Sequence, residues 1–280
     1  MDAKLAMWSS YYIDLGPEEA VLEMKKNGYS YSELSDEHGK MLLDRGDPKK
    51  VGAEFKAFLE KENFHMPQGH LWLMCKLCST ENALEILYPW LDLYEAIGIK
   101  NCVLHCDAIA GEPELSGEER FARNLHQLKQ VEAYIKNMNL CICLENLRAM
   151  TAGDNGWTTI WGIDGLLAMV DQLDEKHFGI CLDTGHLNLT EKDQRNFILK
   201  AGKRLKALHI ADNEGETDQH LMPFGPGKVD FIEVVKALKE IDYQGLFNLE
   251  IPGERKAPLE IRGYKMEYIR KCYEYLMEKA

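Results

Sequence analysis

Eight short apolar runs, each separated from the next by a longer amphipathic stretch, recur along the chain. They are Leu5 to Ile13, Tyr29 to Leu34, Phe64 to Leu71, Cys102 to His105, Leu140 to Glu145, Phe178 to Asp183, Leu205 to Ile210 and Leu246 to Ile251. Strands that alternate with helices must cross over and return parallel, so the pattern excludes a hairpin-built sheet. Parallel strands of this number either stay open as a doubly wound sheet or close into a barrel. The turn after the first run, Ile13-Asp-Leu-Gly-Pro-Glu, lacks the G-x-G-x-x-G that would favour an open nucleotide-binding sheet. The expected fold is therefore an α/β single (β/α)8 TIM barrel over residues 1–280, a length near the roughly 250 residues such a barrel takes, with no linker to mark a boundary.

Helix signals lie between the runs. Pro17-Glu18-Glu19 places Pro in a first turn, Ser79-Thr80-Glu81-Asn82 predicts an N-cap for Ala83 to Ala96, and Asp230 predicts another. Gly28, Gly98 and Gly202 fall near helix ends. Trp90 sits in a helical pattern, and Ile261, Tyr268, Cys272 and Leu276 form a stripe on the last helix; both read as core.

Catalytic groups of α/β barrels project from the C-terminal ends of the strands, so the residues that end the runs carry the functional information. His70, His105, Glu145, Asp183, His209 and Glu250 close successive runs, at separations of 35, 40, 38, 26 and 41 residues. Spacing of about one β/α unit predicts a ring of six side chains at the barrel mouth. Carboxylates crowded there repel and are driven to protonate unless a cation holds them, and mixed Asp/Glu/His donors suit a transition metal or zinc. His186 follows Asp183 by three residues, and Asp218-Gln-His220 occupies a polar loop after His209. His38, His65, His126 and His177 read as surface or satisfied core residues.

Composition narrows the partners. Against 33 basic residues stand 46 acidic ones, a net charge of -13 that disfavours nucleic acid and anionic membranes. No run approaches the length of a membrane span and Met1 to Ser10 shows no cleavable leader, so a cytoplasmic protein is expected. Eight cysteines sit mostly in strand-like runs and are expected to be reduced; the lone Cys75-x-x-Cys78 has no second pair to complete a zinc site.

Together, Leu144-Glu145-Asn146, Leu182-Asp183-Thr184-Gly185-His186, His209-Ile-Ala-Asp212-Asn213, Asp218-Gln-His220 with Gly225-Pro-Gly227, and Leu249-Glu250 resemble the xylose-isomerase-like barrels. That family includes sugar isomerases, ketose 3-epimerases, inositol-pathway isomerases and dehydratases, and endonuclease IV. The resemblance spans nearly the whole chain. It implies that Glu145, Asp183, His209 and Glu250 bind one divalent metal (Mn, Co, Mg or Zn), that Glu145 and Glu250 move protons, and that His186 touches a substrate hydroxyl. The implied reaction is isomerisation or epimerisation of a sugar or polyol by proton abstraction beside a carbonyl, through a metal-stabilised enediolate.

Three alternatives stay open. An endonuclease IV-like phosphodiesterase would use up to three Zn on His70, His105 and Glu145; Asp183, His209 and Glu250; and His186, Asp218 and His220. The acidic Ser35-Asp36-Glu37-His38 segment and the overall charge oppose a DNA substrate. A lyase acting on a keto-sugar or inosose would start from the same proton abstraction. A metal-binding barrel without turnover is the non-enzymatic alternative. Trp8, Trp72, Trp157 and Trp161 are candidate apolar walls for a sugar, Arg148 a candidate substrate contact, and Thr151 to Gly162 a candidate lid. Gly225-Pro-Gly227-Lys228 precedes a helix, but Asp230 would occupy its anion-attracting end, so no phosphorylated substrate is predicted. Barrels of this kind often pair through helices, which makes a homo-oligomer an expectation.

Overall fold

Parallel strands covered on both faces need apolar side chains at nearly every position, and β6 (Phe178–Asp183) is buried throughout. The computed structural model describes residues 1–109, 111–112, 114–147 and 161–280. All eight predicted strands are present: β1 (Lys4–Trp8), β2 (Tyr31–Leu34), β3 (His65–His70), β4 (Asn101–Leu104), β5 (Cys141–Glu145), β6, β7 (Leu205–His209) and β8 (Leu246–Leu249). They pair in parallel in the order β7-β6-β5-β4-β3-β2-β1-β8. The seam is closed just beyond the two end strands, where Ile210 N donates to Asn248 O at 2.7 Å and Glu250 N donates to Ile210 O at 3.1 Å. The result is the (β/α)8 barrel that the alternation predicts.

Around it run α1 (Pro17–Lys26), α2 (Asp36–Leu43), α3 (Pro48–Glu62), α4 (Ala83–Ile97), α5 (Gly117–Ile135), α6 (Ile163–Val170), α7 (Thr184–Leu189), α8 (Gln194–Ala201), α9 (Phe231–Glu240) and α10 (Leu259–Lys279). None of the described helices is long and apolar enough to cross a membrane. Asp230 caps α9 as expected, accepting from Ile232 N and Glu233 N at 3.1 Å each.

Several boundaries differ from expectation. The first run ends as a strand at Trp8, because Ser9–Tyr12 turn into one buried 3-10 turn. The Tyr11 and Tyr12 hydroxyls there donate to Arg262 O and Met266 Sδ, anchoring α10. The acidic segment after β2 opens α2, with Ser35 as its cap. Asn82 makes no capping bond and takes a left-handed backbone, while Thr80 Oγ1 accepts from Lys76 N within the preceding loop. On α10 the inward face is Arg262, Gly263, Met266, Ile269, Cys272 and Leu276; Ile261 and Tyr268 face outward at 52% and 45% exposure. The predicted stripe was thus right at Cys272 and Leu276 and out of phase at its start. Trp90 is core, as expected.

Below the mouth, Val103, Cys143, Cys181 and Ala207 on β4 to β7 form a small apolar cluster, and Glu33, Gln68 and Asn248 on β2, β3 and β8 are buried as deeply, all at 0% exposure. Side chains two residues apart on a strand share a face. His105, Glu145, Asp183 and His209 stand two residues beyond those four, so strand geometry lifts them to the mouth.

Two buried arginines hold the loops around that mouth. Arg262 binds Asp14 through two bonds of 2.7 and 2.9 Å and also donates to the carbonyls of Glu254, Arg255 and Ala257. Arg120 donates to the carbonyls of Ala108, Ile109, Glu112 and Leu115. The loop leaving β8 passes so close to the first turn that a Cβ on Gly253 would lie 1.9 Å from Tyr11 O. Gly253→Ala should therefore destabilise the fold by about 1–3 kcal/mol, the usual penalty of overpacking, read as a lower denaturant midpoint at unchanged slope.

Candidate active site and metal centre

The strand-end side chains converge. Glu145, Asp183, His209 and Glu250 each offer a ligand atom, and these atoms all lie within 4.8 Å of one another. His209 Nδ1 is 3.0 Å from Glu250 Oε2 and 3.4 Å from Glu145 Oε1. Asp183 Oδ1 is occupied by His186 N at 2.6 Å. Asp183 Oδ2, His209 Nδ1 and Glu250 Oε2 are buried, and none forms a hydrogen bond. A buried polar atom left unpaired costs about 1–3 kcal/mol. Three such atoms of acid and imidazole type facing one small space fit a divalent cation.

Each donor is held from behind. Asn146 clamps the end of β6, accepting from Asp183 N at 2.7 Å and donating to Asp183 O at 2.9 Å. His209 Nε2 lies 3.1 and 3.0 Å from the two oxygens of Glu33. Three other imidazoles press Nδ1 on a backbone carbonyl: His70 on Leu71 O at 2.6 Å, His186 on Asn146 O at 3.0 Å and His220 on Glu250 O at 2.7 Å. A carbonyl only accepts, so each Nδ1 donates and the ring turns Nε2 toward the mouth.

Two further groups flank the first. His70, His105 and Glu145 form one, with His105 Nε2 at 2.9 Å and His70 Nε2 at 3.6 Å from Glu145 Oε2. His186, Asp218 and His220 form the other, Asp218 lying 3.2 Å from His186 Nε2 and 3.4 Å from His220 Nε2. Cys181 also comes within reach of Glu145 and His209, but burial pushes its thiol well above the usual range, so it remains protonated filling of the layer beneath.

Opposite charges dominate the electrostatics. Burial alone would raise the carboxyl of Glu145, yet His209, His105 and His186 hold it well below the usual range. Glu250 is opposed by burial in the same way and brought down to about 2 by His209 and His220. Asp183 goes the other way, up to about 7, because burial is joined by the negative charges of Glu250 and Glu145. His186 and His209 are raised well above 6.5 against burial by their carboxylate neighbours, and His220 rises to about 10. Burial lowers His105.

The aromatic candidates divide. Trp8, half-buried, stacks on His220 with centroids 6.4 Å apart and donates Nε1 to Ile251 O. Trp72, also half-buried, stacks on Trp90 at 6.1 Å. Trp161 is 2% exposed and packs into the apolar core, which leaves it no open face for a ligand. Arg148, Trp157 and residues 151–160 of the candidate lid lie outside the described residues.

The sequence reading passed over Glu33, Gln68 and Asn248. Their one signal is polarity inside short buried strands, a carboxylate in Tyr-Ser-Glu-Leu above all. It also passed over the pairing of Asp212 with the following loop: Asp212 Oδ1 accepts from Asn213 N and Val229 N, and a Cβ on Gly227 would meet Asp212 Cγ at 2.0 Å, so only glycine passes there. The remaining histidines follow expectation, His38 and His177 being buried against Leu15 O and Leu140 O. All eight cysteines are free; burial pushes Cys75 and Cys78 up to about 11 and about 12, far from reactive thiolates.

Chelator-treated protein should gain thermal stability on addition of Mn, Co or Zn, by about 2.7 kcal/mol when the free ion reaches 100 times its Kd. Asp183→Asn should lose most of that gain. A scan in which no divalent ion raises Tm would refute a metal centre here.

A sequence profile described as Xylose isomerase-like TIM barrel matches residues 21–272. L-ribulose 3-epimerase of Methylomonas sp. (strain DH-1) is 28% identical over 254 residues, 87% of this chain and 81% of that protein. The uncharacterized protein y4fM of Sinorhizobium fredii is 30% identical over 178 residues; the match takes in 62% of this chain and only 54% of that relative's length. Among solved structures, a D-tagatose 3-epimerase-like protein superposes with a TM-score of 0.78 at 21% identity, covering 99% of both chains, which shows a shared fold. The profile takes in all but the two ends of the sequence, and the chain belongs to the xylose isomerase-like TIM barrel family.

Proposed function

We propose that this chain is a divalent-metal-dependent isomerase or epimerase acting on a sugar or sugar derivative, as a single domain of 280 residues. The observation that carries the reading is the meeting of Glu145 and Glu250 on one imidazole nitrogen, His209 Nδ1, with Asp183 beside them. Similarity to an L-ribulose 3-epimerase supports the substrate class. The acidic balance supports a small neutral substrate over a polyanion. A cytoplasmic setting and a homo-oligomer belong to the same proposal.

When bound among these donors, a divalent ion supplies Lewis-acid polarisation of a carbonyl and its neighbouring hydroxyl, which acidifies the C–H between them. The residues do the rest. Glu145 and Glu250 are both held ionised, the state a proton acceptor needs, and they come from different strands. One takes the carbon-bound proton and later yields it to solvent, while the other, having first taken up a proton from solvent, delivers it to carbon, so inversion follows without either residue having to move across the site. His186, buried and turned toward the mouth, contacts a substrate hydroxyl; Trp8 and Trp72 offer apolar faces to the sugar's C–H side. Loss of a β-hydroxyl from the same carbanionic state would give the lyase outcome instead.

The two flanking groups favour one competing reading, phosphodiester hydrolysis over three zincs. Metal analysis separates them: about one exchangeable ion per chain is expected for the sugar enzyme and about three tightly held zincs for the nuclease. The proton-transfer step is tested with L-ribulose, other ketoses, aldoses and keto-glycosides in deuterated water. Deuterium should enter the substrate, and Glu145→Gln and Glu250→Gln should each slow exchange by about 10²–10⁴-fold. Nicking of abasic DNA with no exchange into any sugar would sink the isomerase assignment.

A further inference from the structure

Glu33 places its carboxyl group at 0% exposure on β2, across the barrel from His209. Three donors meet it. Gln68 Nε2 and Asn248 Nδ2 each lie 2.6 Å from Oε2, and His209 Nε2 lies 3.1 and 3.0 Å from Oε1 and Oε2. Gln68 Nε2 is fixed further by Leu208 O at 3.3 Å. The amide oxygens of Gln68 and Asn248 are buried with no partner of their own. Both amides are therefore oriented by the carboxylate, since turning either one over would set oxygen against oxygen.

The oxygens of Glu33 already accept from two amides, so the same group accepts from His209 Nε2 as well. A metal-binding imidazole is neutral and keeps a single N–H, so with that proton held on Nε2 it is Nδ1, 3.0 Å from Glu250 Oε2 and 3.4 Å from Glu145 Oε1, that is left for a cation. Three other imidazoles of the mouth are set differently: His70, His186 and His220 are turned by backbone carbonyls, which no substitution of a side chain removes. Only His209 among these four depends on a side chain for its tautomer. We infer that Glu33, oriented by Gln68 and Asn248, is a positioning residue that locks His209 with its proton on Nε2 and so sets the affinity of the metal centre. The inference rests on the metal-dependent reading above and adds to it the group that makes one ligand competent.

Glu33→Gln tests it sharply because it changes almost no volume and reverses the lock. The new amide oxygen is drawn to the Gln68 and Asn248 donors, and its NH2 then faces His209 Nε2. That nitrogen becomes an acceptor, and the imidazole proton moves to Nδ1, into the space the cation needs. Binding of Zn and Co is measured by competition with a chromophoric chelator, alongside Tm of the metal-free proteins. The expected result is a 10–100-fold weaker affinity in E33Q, the range known for lost carboxylate–histidine pairing, with Tm of the metal-free form little changed. A purely structural role for Glu33 would lower Tm and leave affinity per folded molecule intact, which would overturn the inference.

Should E33Q fail to fold, the wild-type protein decides. In its zinc-loaded form, a 15N–1H correlation should place the remaining imidazole N–H of His209 on Nε2; an N–H on Nδ1 would overturn the lock. The two levels of the argument fail separately. Wild-type protein that binds neither Zn nor Co refutes the metal reading itself, whereas tight binding that is equal in wild type and E33Q refutes only the role of Glu33.

Discussion

Buried negative charge that hydrogen bonds absorb only in part is the constraint on which this molecule turns. Glu145, Asp183 and Glu250 reach one space at the mouth, where water is scarce and like charges repel strongly. The protein answers with imidazoles, and the answer is incomplete: one oxygen of Asp183, one of Glu250 and one nitrogen of His209 make no hydrogen bond. Asp183, pushed up to about 7, shows the residual strain of this arrangement most directly. A compact cation, able to meet these atoms together, is what the donor set fits.

The barrel creates this crowding by simple means. Period-two alternation along parallel strands puts a filler residue and a functional residue on the same inward face, one above the other. On β5, β6 and β7 the pairs are Cys143 with Glu145, Cys181 with Asp183 and Ala207 with His209. Small fillers bring the strands into register without pushing the polar ends apart. The same layer is polar on the opposite side, where Glu33 gathers Gln68, Asn248 and His209, so one buried network both closes the interior and aims a ligand.

Much of this was legible in one dimension, and the exceptions have physical causes. Eight apolar runs are unambiguous because both faces of each strand are covered, and the residues ending them are conspicuous as lone acids and imidazoles. The overreach of the first strand came from Tyr11 and Tyr12, whose rings are as buried as any strand residue but sit on a turn. The last helix was misphased because Ile261 and Tyr268 are apolar and yet face outward. Glu33 was invisible for a different reason. It stands inside its strand, not at the end, and its partner His209 is 176 residues away, a pairing that only closure of the barrel produces.

The packing beneath the mouth also governs traffic. Val103, Cys143, Cys181 and Ala207, all at 0% exposure, set an apolar cluster beneath the carboxylates that offers water no hydrogen-bond partner. The mouth is then the doorway that protons and substrate share. A bound sugar would act as a stopper in it, shielding the proton lifted from carbon from the bulk, so that internal return competes with wash-out for as long as the ligand stays seated.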